Sequence, residues 1–234
     1  AAVLHDVRSV QPDLPLLIGH GSGSFGHVAA QRYGTMDGVH TPEDWIGFAH
    51  VAAVAAELNH RVTQTLRAAD LPVWRIQPSA SALSRNGALI SMAVQPVRTA
   101  LDRGLIPLVY GDVSLDEVRG GTLISTEAIF FFLAHHLPVN RILLLGDVEG
   151  VWDQHRQIIP LITPARLPDV LPALGGSAGT DVTGGMADKV QKMLRLVHER
   201  PELSIRIMQG DPEQIRAVLL HDAQAGTLIR ADDR

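Results

Sequence analysis

Short apolar runs alternate with longer helical patterns along almost the whole chain, and this alternation constrains the fold more than any total. Residues 14–19, 72–76, 105–110, 141–145 and 203–208 have strand length and strand composition. Between them, residues 43–69, 92–103, 125–136, 183–199 and 212–221 carry helical patterns. Strands alternating with helices imply βαβ units and a mainly parallel sheet. The reading adds a hairpin running through Gly111-Asp112 to Val118, a loop or short irregular helix over 169–179, and a last edge strand at 227–229. Residues 141–145 look like the central strand, and Phe130-Phe131-Phe132 are expected to be substantially buried. Neither repeats nor a long linker interrupt the pattern, so a single α/β domain, with two lobes around a cleft, is expected over 1–234.

Composition narrows the function classes. With 46% hydrophobic and 19% charged residues the chain is not of the disordered kind. Its apolar runs fall far short of the ~18 residues that a membrane helix needs. The absence of cysteine removes disulfides, zinc–thiolate sites and thiol nucleophiles. A net charge of -5 without a basic tract leaves no electrostatic footprint for nucleic acid. The expectation is a soluble, cytoplasmic globular protein. Residues 1–10 read as a helix with no initiator methionine ahead of it, and a first element is expected to be missing from this sequence.

Glycine-rich turns carry the chemistry. His20-Gly21-Ser22-Gly23-Ser24-Phe25-Gly26-His27 follows a predicted strand and opens a helix. Glycines let a ligand approach the backbone, and a helix N-terminus offers free N–H groups to an anion. The segment is no P-loop, lacking Gly-Lys-Ser/Thr, and it does not fit the dinucleotide spacing. A tight strand-to-helix turn without a ligand would look the same in isolation. A second such run, residues 175–185, leads into a helix that carries Lys189 and Lys192. These are the chain's only lysines against 18 arginines. Either they are leftover surface residues, or a compact ammonium is wanted there as a point charge for phosphate. A third element, Gly146-Asp147-Val148-Glu149-Gly150-Val151-Trp152, follows a strand, where open α/β sheets bind ligands. Trp152 is either core or a ring near a base, and Gly111-Asp112-Val113 is either a turn or a cleft wall.

In order and spacing, His20 to His27, Tyr110-Gly111-Asp112-Val113, Gly146 to Val151 and Thr180-Asp181-Val182-Thr183-Gly184-Gly185-Met186 with Lys189 resemble the amino acid kinase superfamily, and within it the isopentenyl phosphate kinase family. The resemblance implies a three-layer α/β sandwich with an open, mainly parallel central sheet. An N-terminal lobe, about 1–140, would bind the phosphoryl acceptor and a C-terminal lobe, about 141–234, would bind ATP. It implies transfer of the γ-phosphoryl of ATP to isopentenyl monophosphate, with Mg2+ travelling with ATP and few direct protein ligands to metal. Carried over, the backbone around Ser22 and the His27 side chain would hold the acceptor phosphate, with Gly23 near the transferring group and Thr126 as a further substrate contact. Asp147 and Gly150 would lie by the nucleoside, and Gly184, Gly185 and Lys189 would hold ATP phosphates. His27 and Lys189 are the implied catalytic pair. Gly47, Phe48, Val51 and Ala55 share one helical face that the resemblance places near the five-carbon tail; as a plain core stripe they would look alike.

The sequence departs from the family pattern in four places. The family's first strand, with a Lys and a Gly-Gly-Ser turn, has no match. Ser125-Thr126-Glu127-Ala128 stands for a usual Ser-Gly-Asp-Asp, Gly146 for a Thr, and Ser22 for a Gly or Ala. A homodimer is implied. The alternatives are a kinase of another small phosphate or phosphonate, such as fosfomycin, and a non-catalytic ATP sensor of the same fold.

Overall fold

Proline, glycine and capping residues set the ends of the elements. The computed structural model describes residues 1–23, 31–35, 37–174 and 185–232. They divide into two compact units, Ala1–Leu137 and Pro138–Arg234. The first contains α1 (Ala2–Val10), β1 (Ile18–His20), α2 (Pro42–Arg67), β2 (Val73–Arg75), β3 (Leu83–Arg85), β4 (Ala88–Ser91), α3 (Gln95–Asp102), β5 (Ile106–Tyr110), β6 (Asp112–Asp116), β7 (Gly120–Ile124) and α4 (Thr126–His136). In the second are β8 (Arg141–Gly146), β9 (Leu161–Ile162), α5 (Leu167–Leu174), α6 (Gly185–Glu199), β10 (Ser204–Gln209), α7 (Pro212–His221) and β11 (Thr227–Ile229).

In the first unit β1 and β2 flank β5, both parallel to it. All five residues of β5 are buried, as an Ile-Pro-Leu-Val-Tyr run in the middle of a parallel sheet must be. Leu66 and Leu71 close over Ile106 and Leu108, with Leu4, Leu16, Ile18, Val62 and Val73 at the margin of this core. Helix α2 packs on β2, β5 and β6. It starts at a capping box in which Asp44 N–H donates to Thr41 Oγ1 (3.2 Å) and Thr41 N–H donates to the Asp44 carboxylate (2.9 Å). Its buried positions Gly47, Val51, Ala55 and Asn59 recur every four residues, one stripe of the helix.

The hairpin lies elsewhere than expected. Gly111 carries the chain straight from β5 into β6 of a second sheet, ordered β4-β3-β6-β7, and the reversal comes at residues 117–119. Asp112 anchors the bend by accepting from Ser79 N–H (3.1 Å) and from Val113 N–H (2.9 Å), which makes it a change of sheet and not a return. A further hairpin, β3–β4, turns on Asn86 and Gly87, both left-handed (φ 50° and 83°), the residue pair such turns prefer. Phe130, Phe131 and Phe132 are only half-buried, because Ile129 and Leu133 occupy the fully buried side of α4.

In the second unit the order is β8-β10-β11-β9. The expected central strand, β8, therefore ends its sheet, and Leu145 is 48% exposed. An apolar run alone does not separate a central strand from an end strand. The expected edge strand, β11, is internal, antiparallel to β10 and parallel to the two-residue β9. Helix α6 packs on β10 and β11 through a face that includes buried Val190, Met193, Leu194 and Val197. Residues 169–174 are helical, within α5. Among the described residues five of eight strand pairings are parallel, so the α/β, mainly parallel reading holds, distributed over three sheets. No described helix is long and apolar enough to cross a membrane.

Asp116 ties the two hairpins together. Its carboxylate accepts from the N–H groups of Asn86 (3.0 Å), Gly87 (2.7 Å), Val118 and Arg119 (both 2.9 Å). Desolvation would raise its pKa, but these four donors outweigh it and hold the carboxyl at about 2. A carboxyl with a depressed folded pKa contributes stability above its unfolded value of 3.8 and loses it as pH falls toward 2. Asp116→Asn should cost about 2 kcal/mol in urea unfolding at neutral pH. The variant should also lack the part of the unaltered chain's acid loss that falls between pH 4 and 2; equal loss in both would contradict this role.

Candidate active site

The carboxyl ends of β1 and β5 meet at the carbonyl of His20. It accepts from Gly111 N–H (3.0 Å) and from the Thr126 hydroxyl (2.6 Å), so β1, the β5–β6 bend and the first residue of α4 share one atom. The approach is close enough that a Cβ on Gly19 would lie 2.5–2.7 Å from Thr126 Cγ2 and the Phe130 ring. Beyond His20, Gly23 is left-handed (φ 56°) with nothing within 4 Å of a built Cβ. At Gly111 a Cβ would stand 3.5 Å from Thr126 Oγ1 and 3.7 Å from Ser22 N. Thr126 Oγ1 and Ser22 N thus both lie near Gly111, while Gly23 stands in open space. The Thr126 hydroxyl hydrogen, however, is committed to the His20 carbonyl.

The His20 ring is held on three sides. Its Nδ1 lies 2.9 Å from Gly21 O, its Nε2 3.0 Å from Asn59 Nδ2, and its plane stacks on Tyr110 at 5.7 Å and 8°. Burial lowers its pKa, against the opposing pull of the Gly21 carbonyl. Tyr110 in turn bonds to Asp112; burial and that carboxylate raise the tyrosine, while Arg75 acts the other way. Burial also raises Asp112, with bonds from Ser79, Val113 and Tyr110 opposing it. Asn59, His20, Tyr110, Asp112 and Ser79 thus form a chain across the strand ends. Of these, sequence reasoning missed Asn59 and Ser79 and gave His20 no role of its own. Asn59 was visible as the polar member of an apolar four-residue stripe.

Phe48 and Val51 lie on α2 away from this cluster. Val51 is about 12 Å along the helix axis from Asn59 and Phe48 about 16 Å. Val51 and Ala55 are buried in the core, while half-buried Phe48 meets Trp45 edge-on and covers Gly121. His27 lies outside the described residues.

The second unit carries the other implied positions. Asp147 is exposed just beyond β8, next to Gly146, whose carbonyl accepts from Gly210 N–H (3.0 Å). Gly150 is buried; a Cβ there would come within 2.9 Å of Thr227 Oγ1 and Ile158 Cγ2, so it serves packing against β11. Trp152 is 44% exposed and not core. Gly185 begins α6 and Lys189 lies about one turn in, while Lys192 pairs with Asp188 (2.6 Å). Gly184 and the rest of the 175–184 run lie outside the described residues. Among the described residues no group of three or more His, Asp or Glu could hold a metal.

Residues 1–208 match the model of the amino acid kinase family. The chain belongs to that family. Within it, the isopentenyl phosphate kinase of Methanothermobacter thermautotrophicus is 34% identical over 92% of this chain and 84% of its own. That of Methanocaldococcus jannaschii is 30% identical over 78% and 70%. An X-ray structure of an isopentenyl phosphate kinase superposes with a TM-score of 0.77 at 26% identity, covering 97% of this chain and 90% of that one. A Giardia carbamate kinase, 12% identical with a TM-score of 0.67, shares the fold.

Gly19→Ala tests the packing under this site. The added methyl should cost about 1–3 kcal/mol in denaturant unfolding, the range for overpacking. A variant as stable as the unaltered chain would show that Thr126 and Phe130 do not press on Gly19.

Proposed function

We propose that this chain transfers the γ-phosphoryl group of ATP to the phosphate of isopentenyl phosphate, giving isopentenyl diphosphate and ADP. The observation that carries the reading is the glycine turn Gly21–Gly23 at the carboxyl ends of two parallel strands, braced by neutral hydrogen-bonding groups, in a chain similar over most of its length to isopentenyl phosphate kinases.

The chemistry asks little beyond positioning and charge stabilisation. An oxygen of the acceptor phosphate is already anionic, so it forms the new bond to the γ-phosphorus without a base. The bond from that phosphorus to the β,γ-bridging oxygen breaks, and its electron pair leaves on ADP. The backbone around Ser22 and the His27 side chain hold the acceptor phosphate, and Gly23 leaves room beside the transferring group. Thr126, its hydrogen given to the His20 carbonyl, orders the turn. In the second unit Gly184, Gly185 and Lys189 hold ATP phosphates, and Asp147 meets the nucleoside. Lys192, on the same helix, pairs with Asp188. Mg2+ enters as Mg-ATP, in keeping with a cation that keeps much of its water and takes substrate phosphates as ligands. The tail lies along α2, with Phe48 beyond the reach of five carbons. The family resemblance extends the reading to a cytoplasmic homodimer.

Turnover of isopentenyl phosphate with Mg-ATP, run beside fosfomycin, tests the activity; phosphorylation of fosfomycin alone would overturn it. His27→Ala should lower turnover by orders of magnitude with ATP affinity retained, whereas Lys189→Ala should raise the KM for ATP. Phe48→Ala should extend acceptance to longer prenyl phosphates; an unchanged chain-length profile would remove Phe48 from the tail wall.

A further inference from the structure

The contacts of the His20 ring fix its chemical form. A carbonyl oxygen can only accept, so Nδ1, 2.9 Å from Gly21 O, carries a hydrogen. An amide nitrogen can only donate, so Nε2, 3.0 Å from Asn59 Nδ2, carries none. The ring is therefore the neutral Nδ1–H tautomer. The groups around it agree: α2 presents uncharged Asn59, and β5 presents the Tyr110 ring, whose hydroxyl is bonded to Asp112. From α4, Thr126 reaches the His20 backbone, and the Arg75 charge is felt at Tyr110.

This tautomer has a consequence for the next peptide. The Gly21 carbonyl and the Ser22 N–H belong to one planar trans unit and point in opposite directions. Holding the oxygen on the imidazole therefore aims the Ser22 N–H away from it. Gly21 and Gly23 would otherwise leave that plane free to rotate, glycine being the residue with the widest backbone choice.

We propose that His20 and Asn59 are positioning residues for the acceptor phosphate: Asn59 holds His20 as the Nδ1–H tautomer, which pins the Gly21 carbonyl and aims the Ser22 N–H at the phosphate. The inference rests on the activity proposed above and deepens it. Neither side chain takes part in bond making. Their contribution is an amide aligned before the substrate arrives, and an aligned donor is worth more to an anion than one that must be ordered on binding.

Three arms test this on the full chain. Ring spectra of the 15N-histidine-labelled protein, assigned by difference from His20→Phe, should show His20 protonated at Nδ1 and bare at Nε2 at neutral pH. His20→Phe keeps a flat ring against Tyr110 but loses the donor; its KM for isopentenyl phosphate should rise about tenfold with the KM for ATP unchanged, the loss of one hydrogen bond. His20→Asn places an amide donor near the Nδ1 position and should bring the acceptor KM back to within about threefold of the unaltered value. A purely structural ring would give the opposite order, with phenylalanine the better replacement. A His20 ring in the Nε2–H or charged form, or an unchanged acceptor KM in His20→Phe, overturns the proposal. If the unaltered chain does not turn over isopentenyl phosphate, the activity reading fails, and the same kinetic arms are replaced by inorganic phosphate binding. Weaker phosphate binding by His20→Phe than by His20→Asn then supports the positioning role, and equal binding refutes it.

Discussion

A single oxygen, the carbonyl of His20, gathers the parts of the N-terminal unit on which everything else depends. A strand-end carbonyl would normally be left to water or to a ligand. Here it takes a backbone N–H from Gly111 and a hydroxyl from Thr126, which locks the end of β1 to the β5–β6 bend and to the first turn of α4. That lock requires Gly19 to have no side chain, because the Thr126 methyl and the Phe130 ring occupy the space. The glycine-rich turn that follows thus departs from a rigid base.

The second theme is charge economy. The chain carries a net charge of -5, yet the described groups around the Gly21–Gly23 turn are backbone amides, hydroxyls, the Asn59 amide and the His20 ring. Asp112, just past the carboxyl end of β5, is buried and turned to Ser79, Val113 and Tyr110. An anion bound at that turn would meet aligned dipoles first. Phosphoryl transfer suits such a site, since the acceptor arrives with its own negative charge and must not be trapped by a fixed cation.

Much of the fold was legible because its punctuation is local. Pro212 and His221 bound α7, and Thr227 to Ile229 bound β11, as the residue pattern implied, and Ser125 caps α4. What escaped the sequence depended on partners far along the chain. The rank of β8 and β11 within their sheet is set by which strands lie beside them, and a two-residue strand such as β9 leaves no periodic trace. The β3–β4 hairpin went unread, although Asn86-Gly87 is a strong turn signal between short alternating segments. At the site, the glycines declared themselves by composition. The role of Asn59 did not, because its partner is 39 residues away and only packing of α2 on the sheet brings the two together.

The clasp that Asp116 makes on two turns at once reaches beyond their stability. Surface turns are where proteins usually accept extra residues, because their backbone answers to little besides solvent. Here the turn at Asn86-Gly87 and the turn at Val118-Arg119 answer to the same pair of carboxylate oxygens. Lengthening either would shift the carboxylate that the other turn's amides rely on, so a change in one turn of this corner calls for a matching change in the other.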